Sequence, residues 1–142
     1  MDGQLEAGDA AIPHPVSVGT AFVYVDEHDG RHMFFVASHA TEPPDPQIVL
    51  MNFTTVRERS DRSCIAEAGE HPWIVHQSCV QYSATMLASV EELQRDIAGG
   101  DVLIQADLTL ALLNKAWEGA SISPHLSLKC KTVLKNQGWI AS

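Results

Sequence analysis

Residues 48–55 read IVLMNFTT, and this run decides the fold that we predict for the chain. It is apolar almost throughout and ends in two threonines. A continuous apolar run of this length is typical of a central strand that is buried on both faces. The proline-rich loop HATEPPDPQ, residues 39–47, precedes it. Because proline lacks the N–H that a sheet ladder needs, the strand is expected to begin after that loop.

Further strands are predicted on both sides of this run. Residues 19–25 read GTAFVYV and residues 31–38 read RHMFFVAS, with the short link DEHDG between them. Strand-forming residues around a short link that contains Asp and Gly are typical of a β-hairpin. Residues 64–66 and residues 73–82, WIVHQSCVQY, predict short strands that return to the core. The sheet is thus expected to contain about five strands.

The apolar period changes after Ala84 from two to about 3.6, which indicates helices. Ser89 and Glu92 have the spacing of a capping box, so a short helix is predicted over residues 90–98, before two glycines. The next run, DVLIQA at residues 101–106, is expected to add an edge strand.

Two longer helices are predicted from their terminal residues. Asp107 is expected to cap a helix that ends at Gly119. Ser123, which is followed by a proline, is expected to cap a second helix that ends at Gly138.

Strands and helices are segregated along the chain, which predicts an α+β fold or a partly open barrel with helices packed on it. Residues 1–17 carry small, acidic and proline residues without an apolar period, and we expect a flexible arm there. Residues 18–142 are predicted to form a single domain. Within it, residues 18–88 are expected to form the sheet and residues 89–138 the helical part.

The composition predicts a soluble globular protein. Of 142 residues, 45% are hydrophobic and 19% charged, and no run approaches the ~20 apolar residues of a membrane-spanning helix. The N-terminus lacks the features of a secretion signal, so a cytoplasmic location without membrane contact is expected. The three cysteines lack the spacing of a metal site, and reduced thiols are expected. The net charge of −9 argues against a dedicated nucleic-acid binder, but the arginines are locally clustered.

Chemically versatile side chains are concentrated in residues 52–82. The chain contains no HExxH, GxxxxGKS/T, GxSxG or GxGxxG motif, so a zincin, a phosphate-loop protein or a hydrolase with a GxSxG nucleophile elbow has no support. What remains is a constellation of strand-end hydroxyls, an arginine loop, and nearby histidine, serine and aromatic residues. Its members are Thr54, Thr55, Arg57, Arg59, Arg62, Cys64, His71, Trp73, His76, Ser78 and Tyr82.

Three chemistries are open to this constellation. His71 and His76 are five residues apart, which places them on opposite faces of an extended strand, and so no metal or other cofactor is expected. Cys64 could be a nucleophile beside a histidine base, although its small and apolar neighbours favour a buried structural thiol. RNA cleavage needs no metal, because RNA supplies its own 2′-hydroxyl nucleophile and the protein need supply only a base, an acid and positive charge. Trp73 and Tyr82 could stack an unpaired base, or they belong to the core.

The order of the segments resembles the PemK/MazF-like toxins of bacterial toxin–antitoxin systems, especially their divergent PemK-like members. The resemblance covers residues 19–93 and rests on GTAFVYV, the Gly30-Arg31 hairpin, HMFFVAS, the proline-bearing loop, IVLMNFTT and HPWIVHQSCVQY. It implies a small SH3-like antiparallel β-barrel with accessory helices, usually as a homodimer. It also implies metal-independent, sequence-specific cleavage of single-stranded RNA, which a cognate antitoxin protein neutralises.

The resemblance further implies which residues act. The family has an arginine at the start of the second strand, and either Arg31 or His32 stands at that position, since the usual Arg-Pro pair is absent. The family has a threonine or serine at the end of the third strand, where Thr54 and Thr55 stand. The helical part from about Asp101 extends beyond the compact core of the family.

The leading hypothesis is therefore a toxin-like endoribonuclease. An arginine would stabilise phosphate charge, a threonine would contact the scissile phosphate or position the base, and a histidine would transfer protons. The catalytic candidates are Arg31, His32, Thr54, Thr55, His71 and His76, and the RNA-binding candidates are Arg57, Arg59, Arg62, Trp73, Ser78 and Tyr82. The alternative is a non-catalytic small-barrel module that binds a protein or a nucleic acid through the arginine loop.

Overall fold

The computed structural model describes residues 16–25 and 32–141 and has the predicted α+β fold. The predicted N-terminal arm therefore lies almost wholly outside the described residues, as do the hairpin link and Arg31. The elements are β1 (Ala21–Tyr24), β2 (Met33–Val36), β3 (Gln47–Thr55), β4 (Ile65–Ala66), β5 (Ser78–Val80), a 3₁₀ turn (Tyr82–Ala84), β6 (Met86–Ser89), α1 (Val90–Ala98), β7 (Val102–Gln105), α2 (Leu110–Ile122) and α3 (Leu128–Asn136).

Strand β3 is the centre of an antiparallel sheet. The sheet order is β4-β5-β3-β2-β1-β7, and β6 also pairs with β3. One edge of β3 pairs with β2, while its other edge is shared, with β6 along residues 47–50 and β5 along residues 53–55. In the described part of the chain the outer strands β4 and β7 do not pair with each other, so the sheet is open.

The prediction that residues 48–55 form a central strand buried on both faces is confirmed for residues 48–53. Val49 and Met51 face the larger core, to which α2 and α3 contribute. Ile48 and Leu50 face a second, smaller core, which Leu93 of α1 helps to close. Because successive side chains of a strand alternate between faces, two helical layers can each bury one side of β3.

Within the described residues the sheet has seven strands; about five were predicted up to residue 82, and one further edge strand was predicted over residues 101–106. The predicted strand over residues 73–82 is reduced to β5, because the chain before it folds into a turn. The Ile74 N–H donates to the His71 carbonyl at 2.9 Å, and the Gly69 N–H donates to the Ile74 carbonyl at 2.9 Å. Strand β6 was not predicted from the sequence. It lies directly before α1, in the part of the chain after Ala84 where the apolar period indicates helices. The predicted edge strand is confirmed as β7.

One of the three predicted helix starts is confirmed. Ser89 caps α1, and its hydroxyl accepts from the Glu92 N–H at 3.2 Å. Helix α2 is instead capped by Thr109, whose hydroxyl accepts from Leu112 N–H at 3.1 Å. Helix α3 is capped by Ser127, four residues after the predicted position. Each observed cap fulfils the same physical rule as the predicted one, because a short hydroxyl side chain satisfies an unpaired amide of the first turn.

Gly119 does not end α2, contrary to the prediction. The helix continues through it to Ile122, and Gly119 is buried inside the helix. A Cβ atom at this position would collide with the Tyr82 hydroxyl and would lie 2.8 Å from the Ser63 carbonyl oxygen and 2.9 Å from the Cys64 Cβ. Glycine is required here by close packing of the helix on the sheet, a need that the local sequence does not reveal.

Candidate functional site

The candidate site lies at the C-terminal end of β3. Thr54 pairs with Cys79 and Thr55 pairs with Ser78 of β5, so both threonines are held by a ladder. Thr54 is half-buried and Thr55 is exposed, which contrasts with the six buried residues before them. Among the described residues neither threonine hydroxyl has a hydrogen-bond partner, so both can contact a ligand.

The first cleft beside these threonines is here called the arginine cleft. It has a volume of about 280 Å³ and is lined by Thr54, Thr55, Arg57, Arg59, Ser60, Asp61, Cys79, Val80, Gln81, Tyr82 and Ser83. The side chains of Arg57 and Arg59 are exposed and make no ion pair or hydrogen bond within the described part of the chain. Unpaired guanidinium groups next to unpaired hydroxyls form a cavity suited to an anion such as phosphate.

Arg62, the third arginine of the loop, has a different role from the other two. Its guanidinium donates to the carbonyls of Arg57 at 3.0 Å and Glu58 at 3.3 Å. The Ser60 hydroxyl accepts from the Arg57 N–H at 2.7 Å. These bonds close the loop on itself, so Arg62 holds the loop in shape and does not line the cleft.

Asp61 ties the arginine loop to the end of α2. One carboxylate oxygen accepts from the Ser63 N–H at 2.9 Å and from the Ser63 hydroxyl at 2.6 Å, and the other accepts from the buried Ser123 hydroxyl at 2.6 Å. Burial raises the pKa of Asp61, but the hydrogen bonds from Ser123 and Ser63 more than offset it, so the pKa lies below its ordinary value of 3.8. The carboxylate is ionised, and its three bonds fix the loop position.

The second cleft, here called the histidine cleft, also begins at Thr55. It has a volume of about 300 Å³ and is lined by Thr55, Trp73, Val75, His76 and Ser78. His76 is exposed, and its ring makes no hydrogen bond with any described residue. The Ser78 hydroxyl is buried and donates to the His76 carbonyl at 2.9 Å, so it supports the turn. Trp73 is half-buried against the larger core and presents only part of its ring.

His71, the other histidine candidate, has a structural role. It is 2% exposed, and its Nδ1 accepts from the Trp73 N–H at 2.9 Å. Its Nε2 lies 2.6 Å from the Ala106 carbonyl oxygen and therefore carries the proton. Because both ring nitrogens are bonded to backbone, His71 joins the turn to the strand end after β7 and does not reach either cleft.

Tyr82 and the two cysteines near the site are also structural. Tyr82 is 1% exposed and its hydroxyl donates to the Ala116 carbonyl at 2.6 Å, which leaves no ring face for stacking on a base. Burial raises the pKa of the Cys64 thiol to about 11, and burial likewise raises the pKa of Cys79. A protonated, buried thiol is a poor nucleophile, so the structure argues against a thiol enzyme.

His32 stands next to β2 on the side of the candidate site. Met33 pairs with Phe53, so the antiparallel register sets His32 opposite Thr54 if it continues by one residue. Its ring makes an edge contact with Phe34, with 6.5 Å between the centroids. Arg31, the other candidate for this position, lies outside the described residues.

Four polar residues of the arginine cleft were not predicted as site residues from the sequence: Ser60, Asp61, Gln81 and Ser83. Gln81 is held by the buried Asn52, whose amide donates to the Gln81 side-chain oxygen at 3.0 Å. The only sequence feature that could have indicated this polar contact is Asn52, because it is a polar residue within an apolar strand. A buried amide in such a position requires a polar partner.

Comparison of the chain with protein-family models, with curated proteins and with solved structures gave no match. The resemblance to PemK/MazF-like toxins is thus a prediction from sequence order alone. No helix in the described part of the chain combines the length and apolar character needed to cross a membrane. Among the same residues, no group of three or more His, Cys, Asp and Glu side chains is arranged to hold a metal ion.

Proposed function

We propose that the protein cleaves single-stranded RNA at the end of β3. The observation that carries the proposal is that Thr55 lines both clefts, with two unpaired arginines on one side and His76 with Trp73 on the other. A phosphate held at Thr55 would thus have guanidinium groups in the cleft on one side and an imidazole in the cleft on the other. Positive charge and a proton-transfer group are what RNA cleavage without a metal requires, and a partly exposed aromatic ring can stack an unpaired base.

The reaction is an internal transfer. A base takes the proton of the 2′-hydroxyl, the 2′-oxygen forms a bond to phosphorus, and the bond from phosphorus to the 5′-oxygen of the next nucleotide breaks. An acid then protonates that leaving oxygen, which gives a 2′,3′-cyclic phosphate and a free 5′-hydroxyl. His76 is the proposed proton-transfer group, while Arg57 and Arg59 stabilise the charge that develops on the phosphate oxygens.

The proposal extends to the features implied by the resemblance. These are an SH3-like curvature of the sheet, a homodimer, a cognate antitoxin and a cytoplasmic location. The shared edge of β3 supports the first of them, because a strand that passes from one partner to another along its length is a common feature of sheets that bend into small barrels.

A second candidate function is RNA binding without cleavage. It is favoured by the environment of the arginine cleft, where the only carboxylate among the lining residues is that of Asp61. This carboxylate accepts three hydrogen bonds, so it is not available as a base for cleavage. His76 then belongs to the neighbouring cleft and has no hydrogen bond to either threonine among the described residues. In this case the groove would hold the backbone of the RNA and leave it intact.

One assay separates the two functions. The purified protein is incubated in EDTA with a pool of single-stranded RNAs, and both cleavage and filter binding are measured. Thr55→Val and the double variant Arg57→Gln/Arg59→Gln should each lower cleavage by about tenfold or more, because removal of a phosphate contact acts on the transition state. Lys131→Gln/Lys135→Gln on α3 is a charge-matched control and should cleave normally.

Binding without cleavage, lost in the same variants and weakened by added salt, would favour the second function. If the unmodified protein neither binds nor cleaves RNA, both functions are contradicted. Equal activity of Thr55→Val and the unmodified protein would contradict the proposed placement of the phosphate.

A further inference from the structure

A further cleft of the described structure lies away from the candidate RNA site, between α1 and the sheet. It has a volume of about 490 Å³. We call it the acidic groove. Its lining residues are Tyr24, Phe34, Asp45, Gln47, Leu50, Met86, Leu87, Ala88, Ser89, Glu91, Glu92, Leu93, Arg95 and Asp96. The proposed function uses none of these residues.

The floor of the acidic groove is apolar and aromatic. Tyr24 and Phe34 meet edge to face with 5.4 Å between their centroids, and Phe34 stacks on the buried Phe22 at 5.7 Å. Met86 of β6 also lines the groove and is 49% exposed. Exposed methionine on an apolar surface adapts its shape to different partners, and aromatic faces attract cations. The floor could therefore accept an aliphatic side chain together with the stem of a lysine or arginine.

The rim of the acidic groove is strongly negative. Four carboxylates, those of Asp45, Glu91, Glu92 and Asp96, face a single cation, Arg95, which gives a formal charge of 1 − 4 = −3. Arg95 approaches Glu91 at 3.9 Å with both side chains largely exposed, and such a pair is weak. The other three carboxylates have no cationic partner within the described residues.

Local structure does not account for this charge. Glu92 stands where a capping box would send its carboxylate back to the Ser89 amide, yet no such bond forms within the described part of the chain. The start of α1 gains a modest benefit from the two glutamates of its first turn. That benefit does not extend to Asp45, which lies in the proline-rich loop, or to Asp96, which lies near the C-terminal end of α1, where a negative charge is unfavourable.

We propose that the acidic groove binds a basic segment of a partner polypeptide, in which lysine or arginine residues flank an apolar anchor. Charge complementarity selects this occupant, because an apolar floor with a rim of charge −3 attracts cationic side chains and repels RNA. The anchor enters over Met86 and Phe34, and the basic residues reach the carboxylates of α1. The inference does not depend on RNA cleavage.

The test uses a fluorescent peptide of alternating lysine and leucine, with binding to the full chain followed by anisotropy at low ionic strength. The chain is acidic overall and will attract any basic peptide, so the comparison is made between variants of equal charge. Glu92→Gln/Asp96→Asn should weaken binding by about fivefold, since each exposed charge contributes less than about 1 kcal/mol. The matched control Asp107→Asn/Glu118→Gln, which lies outside the groove, should bind like the unmodified protein. Unfolding midpoints of both variants, compared with that of the unmodified protein, would check that both are folded.

A second peptide, of alternating lysine and glycine, tests the apolar floor. It should bind more weakly than the lysine–leucine peptide, and this difference should remain at higher salt. Equal weakening by the two charge-matched variants would overturn the proposal, as would equal affinity for the two peptides.

Sedimentation of the protein alone tests another occupant. A salt-sensitive oligomer that is lost in Glu92→Gln/Asp96→Asn would mean that a second copy fills the groove, which would also overturn it.

Discussion

The hydroxyl of Tyr82 lies where the side chain of any residue larger than glycine at position 119 would begin. The same hydroxyl donates to the Ala116 carbonyl at 2.6 Å, one turn earlier in α2. This contact sets the distance between α2 and the 3₁₀ turn that carries one wall of the arginine cleft. Helix packing and the shape of the candidate site are thus coupled through one glycine.

Gly119→Ala is accordingly expected to destabilise the protein, although alanine is the better helix former. The added methyl group must displace Tyr82 or backbone atoms, and overpacking of this kind costs about 1–3 kcal/mol. Urea unfolding followed by tryptophan fluorescence would measure the change. Asn114→Ala, an exposed site on the same helix, is the control and should change stability by less than about 0.5 kcal/mol. A Gly119→Ala variant as stable as the unmodified protein would contradict the close packing.

The two histidines of the sequence constellation are expected to behave in opposite ways. His71→Ala should lower stability by about 2–4 kcal/mol, because it leaves the Trp73 N–H and the Ala106 carbonyl without partners. His76→Ala should leave stability nearly unchanged, since its ring is exposed, and should abolish most cleavage. Unfolding midpoints and cleavage rates of the two variants provide the comparison. Full cleavage by His76→Ala would remove this residue from the proposed mechanism.

Cys64 should make the stability depend on alkaline pH. Burial raises its pKa from 9.0 to about 11, so the folded protein binds more protons than the unfolded chain between these values. Its contribution is complete below pH 9 and is lost as the pH rises to 11, a loss of roughly 2–3 kcal/mol. Urea unfolding from pH 8 to 11 would show this slope, and Cys64→Ala should flatten it. A slope of the same size in that variant would contradict the assignment.

Asp61 should link the arginine loop to acid stability. Its pKa is lowered, so its stabilising effect is present at neutral pH and is lost as the pH falls below its ordinary value of 3.8. Asp61→Asn turns an acceptor of three hydrogen bonds into a group that also carries donors, which should cost about 2 kcal/mol at neutral pH. It should also weaken RNA binding, because the loop loses its anchor on Ser123.

Glu118→Gln, at an exposed acidic site on α2, serves as the control for Asp61→Asn. The two variants have the same net charge, so only Asp61→Asn should be less stable and bind RNA less well. Identical unfolding curves for the two variants at neutral pH would show that the carboxylate does not hold the loop. The acid limb of the stability curve should be flatter in Asp61→Asn alone.

Much of the fold could be predicted from local sequence. The mostly apolar run at residues 48–53 identified the central strand, because a strand covered on both faces is apolar at nearly all consecutive positions. The segregation of strands and helices gave the α+β class. The proximity in sequence of Thr55 to Arg57 and Arg59 likewise placed these residues near one another, since a strand end and the loop that follows it are adjacent in any fold.

The remaining features were decided by tertiary structure. His71 and His76 have the same chemistry in the sequence, but only His71 meets the Ala106 carbonyl, 35 residues away. In the sequence, Asp61 cannot be distinguished from other loop carboxylates. In the fold, it accepts a hydrogen bond from the hydroxyl of Ser123, 62 residues later. The sequence by itself determined the α+β class, the buried central strand and the charge of the loop, because these depend on neighbouring residues. Only the tertiary structure decided the role of Gly119, the separation of the histidines and the acidic groove, because each of them depends on contacts between segments that are distant in the chain.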